Sequence, residues 1–129
     1  MLNNAPIDVN ETNLELKDLP ENLRGDSMRL QQILINLTKN AFKFTKNDSK
    51  IGKICKITIF VAFNPEDNFL HICVSDNGKG IIQDELGKIF TKFGKLKRTA
   101  EMNSEGIGLG LLISKQLVEV NGGELKAYS

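Results

Sequence analysis

Residues Ser104 to Gly123, SEGIGLGLLISKQLVEVNGG, set three glycines at alternate positions, Gly106, Gly108 and Gly110, and run straight into a helical rhythm. Leu111, Leu112, Lys115, Leu117 and Val118 carry that rhythm, and Asn121-Gly122-Gly123 is a helix C-terminal stop. Glycines packed into the first turn of a helix let another group approach the backbone closely. The unpaired N–H groups and the dipole of a helix start favour a phosphate there. A loop packed tightly against a neighbour fits the same pattern. The glycines alone leave both readings open.

A second helix is written into the first half of the chain. Met1 to Asn10 is polar and unpatterned, Asn13 to Lys17 alternates as a short strand, and Asp18-Leu19-Pro20 breaks it, since proline disfavours helical geometry in the residue before it. Asp26 is placed as an N-cap. From there Leu30, Ile33, Leu34, Leu37, Ala41 and Phe44 line one apolar face. Asn36, Asn40 and Lys43 form a polar line about a third of a turn from the centre of that face, extended toward the N-terminus by Gln32 and Arg29. Asparagine is a mediocre helix former, so the two amides bring no local benefit. Amide oxygens suit Mg²⁺, and a lysine one turn on can meet a phosphate as a point charge. A solvated polar flank is the competing reading.

Lys46 to Lys53 is a polar turn region. Lys56 to Phe63 and Phe69 to Ser75 are β-rich runs joined by Asn64 to Asn68, which predicts an antiparallel hairpin. His71, the sole histidine, falls at an alternating strand position and reads as structural or surface-exposed. The second run ends in Asp76-Asn77-Gly78-Lys79-Gly80-Ile81. This is a turn sequence. It is also a place where a buried carboxylate at a strand end needs a donor, such as the exocyclic amino group of a purine. Asp84 to Phe90 reads as a short helix with an aromatic pair, Phe90 and Phe93. Leu96 to Glu105 reads as a mobile loop, and Glu124 to Ser129 as a last strand.

The 129 residues suit one domain, 1–129, with an ordinary 40% hydrophobic and 26% charged content. A net charge of +1 offers no bulk attraction for nucleic acid or an anionic membrane. Cys55 and Cys73 lie in apolar β-like runs without metal-type spacing, and read as small buried hydrophobes in a reducing compartment. No apolar run approaches the roughly 18 residues of a membrane span, and Met1 opens no signal-peptide pattern. The expectation is a cytoplasmic fragment without membrane contact of its own, with membrane attachment of a longer parent left open.

NLTKNAFKFT, VSDNGKGI, KIFTKFGK and EGIGLGLLISKQLVEVNGGEL, in that order and spacing, resemble the four boxes of the ATP-binding catalytic domain of sensor histidine kinases. The wider superfamily also holds gyrase B, a heat-shock chaperone and the mismatch-repair ATPases. The resemblance covers roughly Leu14 to Ser129. It implies an α/β fold of the Bergerat type: a two-layer sandwich with a mixed, mostly antiparallel sheet and helices on one face. By the resemblance, Asn40 would bind Mg²⁺ with Asn36 alongside, and Lys43 would reach the phosphates of ATP; these three would carry catalysis. Asp76 would accept the adenine amino group, with Gly78, Gly80 and Ile81 making room for the ring. Phe90 and Phe93 would anchor the base of a lid. Gly106, Ile107, Gly108, Leu109, Gly110 and Leu111 would hold the triphosphate.

The superfamily's ATPases carry a glutamate as general base four residues before the metal-binding asparagine. This chain has Asn36 there, and an amide has no useful basicity. The resemblance therefore implies transfer of the γ-phosphoryl to an imidazole, with slow hydrolysis in its absence. The accepting histidine would sit on a dimerisation domain of the same protein, and a response-regulator receiver domain would follow. The chain is expected to stop before the family's usual last strand. A non-catalytic ATP-sensing or docking module is the alternative. A gyrase- or chaperone-type ATPase is disfavoured by Asn36.

Overall fold

The computed structural model describes residues 11–46, 54–91 and 109–129. Along the chain run β1 (Glu11–Lys17), α1 (Ser27–Lys46), β2 (Lys56–Asn64), β3 (Phe69–Asp76), α2 (Gln83–Leu86) and α3 (Gly110–Val120). Helices and a mixed sheet make this an α/β fold, as the sequence predicts. The chain gathers into two compact units, one of Met1–Arg24 with Lys39–Lys79 and the other of Gly25–Thr38 with Gly80–Ser129. The continuous helix α1 contributes its last turns to the first and its opening turns to the second.

The first unit holds the sheet, in the order β1-β2-β3. β1 runs parallel to β2, and β2 antiparallel to β3, so the sheet has one pairing of each kind. Parallel neighbours need a long crossover, which α1 lies within. In register, Leu14 stands opposite Ile59 and Val74, and Leu16 opposite Val61 and Ile72. Side chains alternate along strands, so these residues share one face with Ile57, which is buried. Cys73 belongs to the other face and is exposed, correcting its expected burial; Cys55 is half-buried and directs its thiol to the carbonyl of Thr45. The hairpin turn is held by side chains. Asn64 Oδ1 accepts from the Glu66 N–H, Asp67 Oδ1 accepts from the Phe69 N–H, and Asn68 takes a left-handed φ of 60°. His71 Nε2 lies 2.9 Å from Asp67 Oδ2 on this exposed turn.

α1 starts where expected. Asp26 Oδ1 accepts from the Arg29 N–H at 3.1 Å, and its other oxygen lies 3.2 Å from the Arg29 guanidinium. Ile33 and Ala41 of the apolar stripe are buried, while Met28, Ile35 and Phe42 face outward.

In the second unit, α2 is shorter than the sequence suggests. Gly87, which costs about 1 kcal/mol in a helix interior relative to alanine, ends it. Hydrogen bonds from Lys88 N to Glu85 O and from Thr91 N to Lys88 O continue the path as tight turns. Asn121-Gly122-Gly123 stops α3 as read. Gly122 has φ +77°, its N–H bonds to Glu119 O, and the N–H of Gly123 reaches Val118 O, the two bonds of a Schellman motif. Glu124 to Ser129, expected as a strand, forms none. Leu125 and Ala127 keep the half-buried beat of a strand, but no ladder partner exists for them among the described residues.

Candidate functional site

In the first unit, Asp76 and Gly78 of the residues singled out in the sequence lie where β3 runs out. Asp76 is paired with Ile57 at the last rung of the ladder. The sequence suggested a buried carboxylate here, but Asp76 is exposed, because the sheet stops with it. Its Oδ1 accepts from the Gly78 N–H at 2.8 Å. Gly78 has no room for a side chain: a Cβ would lie 2.7 Å from Asp76 Oδ1 and 3.3 Å from Phe44 O. The close approach expected at this glycine is made by the protein's own carboxylate and carbonyl.

The last turns of α1 belong to the same unit. Asn40 and Lys43 are half-buried on the flank of the helix, and Lys43 Nζ lies 5.9 Å from the centre of the Phe44 ring. Thr45 is 2% exposed, and its hydroxyl has no hydrogen-bond partner among the described residues. A buried hydroxyl left in that state costs about 1–3 kcal/mol. A polar group of a bound molecule would relieve it. Sequence reasoning missed Thr45, since a threonine late in a helix carries no signal of its own.

The second unit carries the opening turn of α3. Asn36 Nδ2 donates to Gly110 O at 3.3 Å and to Ser114 Oγ at 3.2 Å. A carbonyl oxygen only accepts, so the amide nitrogen must face Gly110, and the orientation of the side chain is settled. Both N–H bonds of the amide are thereby engaged. Ser114, fully buried, is a second residue the sequence did not single out. Leu109, Gly110 and Leu111 are half-buried at the helix start, where N–H groups and dipole favour an anion. Gly80 adopts φ +74°, and the Ile81 N–H donates to Ser129 Oγ at 2.7 Å. The half-buried Phe90 has Lys115 Nζ 5.6 Å from its ring centre. Phe93, Gly106, Ile107 and Gly108 lie outside the described residues.

The family of histidine kinase-, DNA gyrase B- and HSP90-like ATPases matches this chain over residues 25–129. The chain belongs to that family. Among curated proteins, it is 38% identical over 116 residues to the circadian input-output histidine kinase CikA of Synechococcus elongatus. That match covers 90% of this chain and 14% of CikA. The signal transduction histidine-protein kinase BarA of Escherichia coli is 34% identical over 120 residues, covering 92% of this chain and 13% of BarA. The nucleotide-free catalytic domain of histidine kinase ThkA superposes with a TM-score of 0.59 at 28% identity, over 88% of this chain and 67% of that one. The chain thus spans only a small part of its curated relatives. Within the family it is an ATP-binding domain of the histidine-kinase type, and its α/β fold is that of such a catalytic domain.

Proposed function

We propose that this chain is the catalytic domain of a sensor histidine kinase, passing the γ-phosphoryl group of ATP to a histidine on a separate dimerisation domain of the same protein. A response-regulator receiver domain is the next acceptor. The observation that carries this reading is the state of Asn36. At the position where the ATPases of the superfamily hold a basic glutamate stands an amide whose two N–H bonds are given to Gly110 O and Ser114 Oγ. Such a group takes no proton from water. ATP is held without efficient hydrolysis until a better nucleophile arrives, and positioning and charge neutralisation supply the catalysis.

In this reading the two units form one domain, 1–129, as one family match running through residues of both supports. Asp76 accepts the adenine amino group through Oδ2, and Gly78, Gly80 and Ile81 line the ring. The orphaned Thr45 hydroxyl fits a polar nucleotide beside that turn. Lys43, the glycine run Gly106, Ile107 and Gly108, and Leu109, Gly110 and Leu111 at the start of α3 serve the phosphates, while Phe90 and Phe93 seat the lid. Asn40 would offer the hard, neutral amide oxygen that suits Mg²⁺, and Asn36, one helical turn earlier, would offer its Oδ1 alongside. The metal ion supplies charge neutralisation at the phosphates. His71, exposed on the hairpin and bonded to Asp67, is not the acceptor. In this reading the domain draws on cytoplasmic ATP; no helix among the described residues is long and apolar enough to cross a membrane.

The test is incubation of the chain with labelled ATP, Mg²⁺ and a histidine-bearing dimerisation domain. An acid-labile, base-stable phosphohistidine is the expected product. Nucleotide binding without transfer would point to an ATP-sensing module. Rapid phosphate release in the absence of the acceptor would refute the kinase assignment.

A further inference from the structure

Asn77 makes three hydrogen bonds to the chain beside the end of the sheet. The β2–β3 ladder ends at the pair Ile57 and Asp76. One residue on, the Asn77 N–H donates to Lys56 O at 3.2 Å. Its side chain then turns back along the same strand. Oδ1 accepts from the Lys56 N–H at 2.9 Å, and Nδ2 donates to Ile54 O at 2.7 Å. Lys56 therefore has both backbone groups taken by Asn77, one by its main chain and one by its side chain. A primary amide carries the same donor and acceptor pair as a peptide unit. Asn77 thus behaves as one more rung of sheet beyond the point where the strand ends.

We propose that Asn77 is a positioning residue for base recognition: by clasping the backbone of Ile54 to Lys56, it holds the Asp76 carboxylate in the attitude that reads the amino group of adenine. The proposal rests on the reading of Asp76 given above. Asp76 Oδ1 is held by the N–H of Gly78, the residue after Asn77. The direction of that N–H is set by the backbone of Asn77, which the clasp fixes at three points. Gly78 has no side chain to help, and a Cβ there would strike Asp76 Oδ1. Alanine at position 77 removes both side-chain bonds. Aspartate keeps the acceptor for the Lys56 N–H but sets an oxygen against Ile54 O. Ile54 and Lys56 are exposed, so water can satisfy their backbone groups after such a change, and the sheet remains.

The experiment measures binding of ATP and of inosine triphosphate to the 129-residue chain by calorimetry. Inosine has a carbonyl in place of the amino group, so it removes the donor that Asp76 accepts. The unmodified chain should prefer ATP by roughly tenfold to a hundredfold, the worth of a hydrogen bond to a charged group. Asn77→Ala should lose most of that preference by weakening ATP, with inosine triphosphate little changed. A residue that merely stabilised the fold would weaken both nucleotides alike. Asp76→Asn is the reference, expected to abolish the preference. Collapse of the preference in both variants supports the proposal. Collapse in Asp76→Asn alone, with Asn77→Ala discriminating normally or losing both nucleotides in parallel, overturns it while leaving the reading of Asp76 intact. Full discrimination in Asp76→Asn overturns that reading and the proposal with it. Asn77→Asp, nearly the same in shape, gives the same readout if the alanine variant fails to fold.

Discussion

Asn36→Ala should weaken the fold itself, before any nucleotide or metal is present. In the second unit the Asn36 amide is the hydrogen-bonded link from α1 to the first turn of α3, through Gly110 O at 3.3 Å and Ser114 Oγ at 3.2 Å. Both distances lie at the long end of the useful range, so each bond contributes about 0.5–1 kcal/mol net. Ser114 is 0% exposed. Truncation leaves its hydroxyl short of a donor that water cannot easily replace, and such losses fall in the range of about 1–3 kcal/mol. With the Ser114 bond counted once, as the penalty of its unpaired hydroxyl, the expected total is about 1.5–4 kcal/mol. For a chain of this size, that lowers the melting midpoint by roughly 5–16 °C. The assay is a thermal melt of the chain with nucleotide and divalent cations removed. Ser114→Ala alone should cost less, and the double variant should cost less than the sum, because both remove the same contact. An Asn36→Ala chain that melts like the parent, yet no longer binds ATP with Mg²⁺, would refute the reasoning. Asn36 would then serve the ligand alone.

Three further outcomes follow from single positions. Gly78→Ala should weaken ATP binding at least tenfold and lower the urea midpoint by the equivalent of about 1–3 kcal/mol, because its Cβ meets Asp76 Oδ1 at 2.7 Å; titration calorimetry and a urea melt read the two effects. Gly80→Ala, at φ +74°, should cost about 1–2 kcal/mol in the same melt from left-handed strain, and an unchanged midpoint would disprove that conformation. Asp67 has its pKa lowered, first by the hydrogen bond from the Phe69 N–H and then by His71, with slight burial opposing both. Its folded pKa lies below its unfolded value, so the stabilisation is present above pH ~4 and fades as pH falls through the folded pKa. Asp67→Asn should therefore be less stable than the parent at neutral pH, with the gap closing in acid; a gap that widened in acid would reverse the sign.

The regular elements of this chain are legible because their signals are local. A stripe at helical spacing announces α1, and Ile33 and Ala41 are buried as that stripe requires. Asp26 caps the helix through a carboxylate three residues from its donor, and the double glycine after Asn121 closes α3 within a single turn. Two β-rich runs joined by turn residues can only pair as neighbours, and β2 and β3 do. Where a neighbour distant in sequence decides the outcome, the local signal fails. Glu124 to Ser129 has the alternation of a strand and no partner in the described residues to make it one. Cys73 sits in an apolar run but on the face of the sheet that stays open.

At the site the same division holds. The residue types were set by the sequence: amides on one flank of α1, a carboxylate at the end of β3, glycines around both, and no base at position 36. What those groups touch was not. Asn36 finds its partners 74 and 78 residues away, and Asn77 clasps a strand more than 20 residues earlier. A hydrogen bond is satisfied by whatever acceptor the fold brings within reach, and no periodicity records that. The sequence therefore determined which chemistry this protein carries. Tertiary structure alone decided which atoms of Asn36 and Asp76 are engaged, and by which partners.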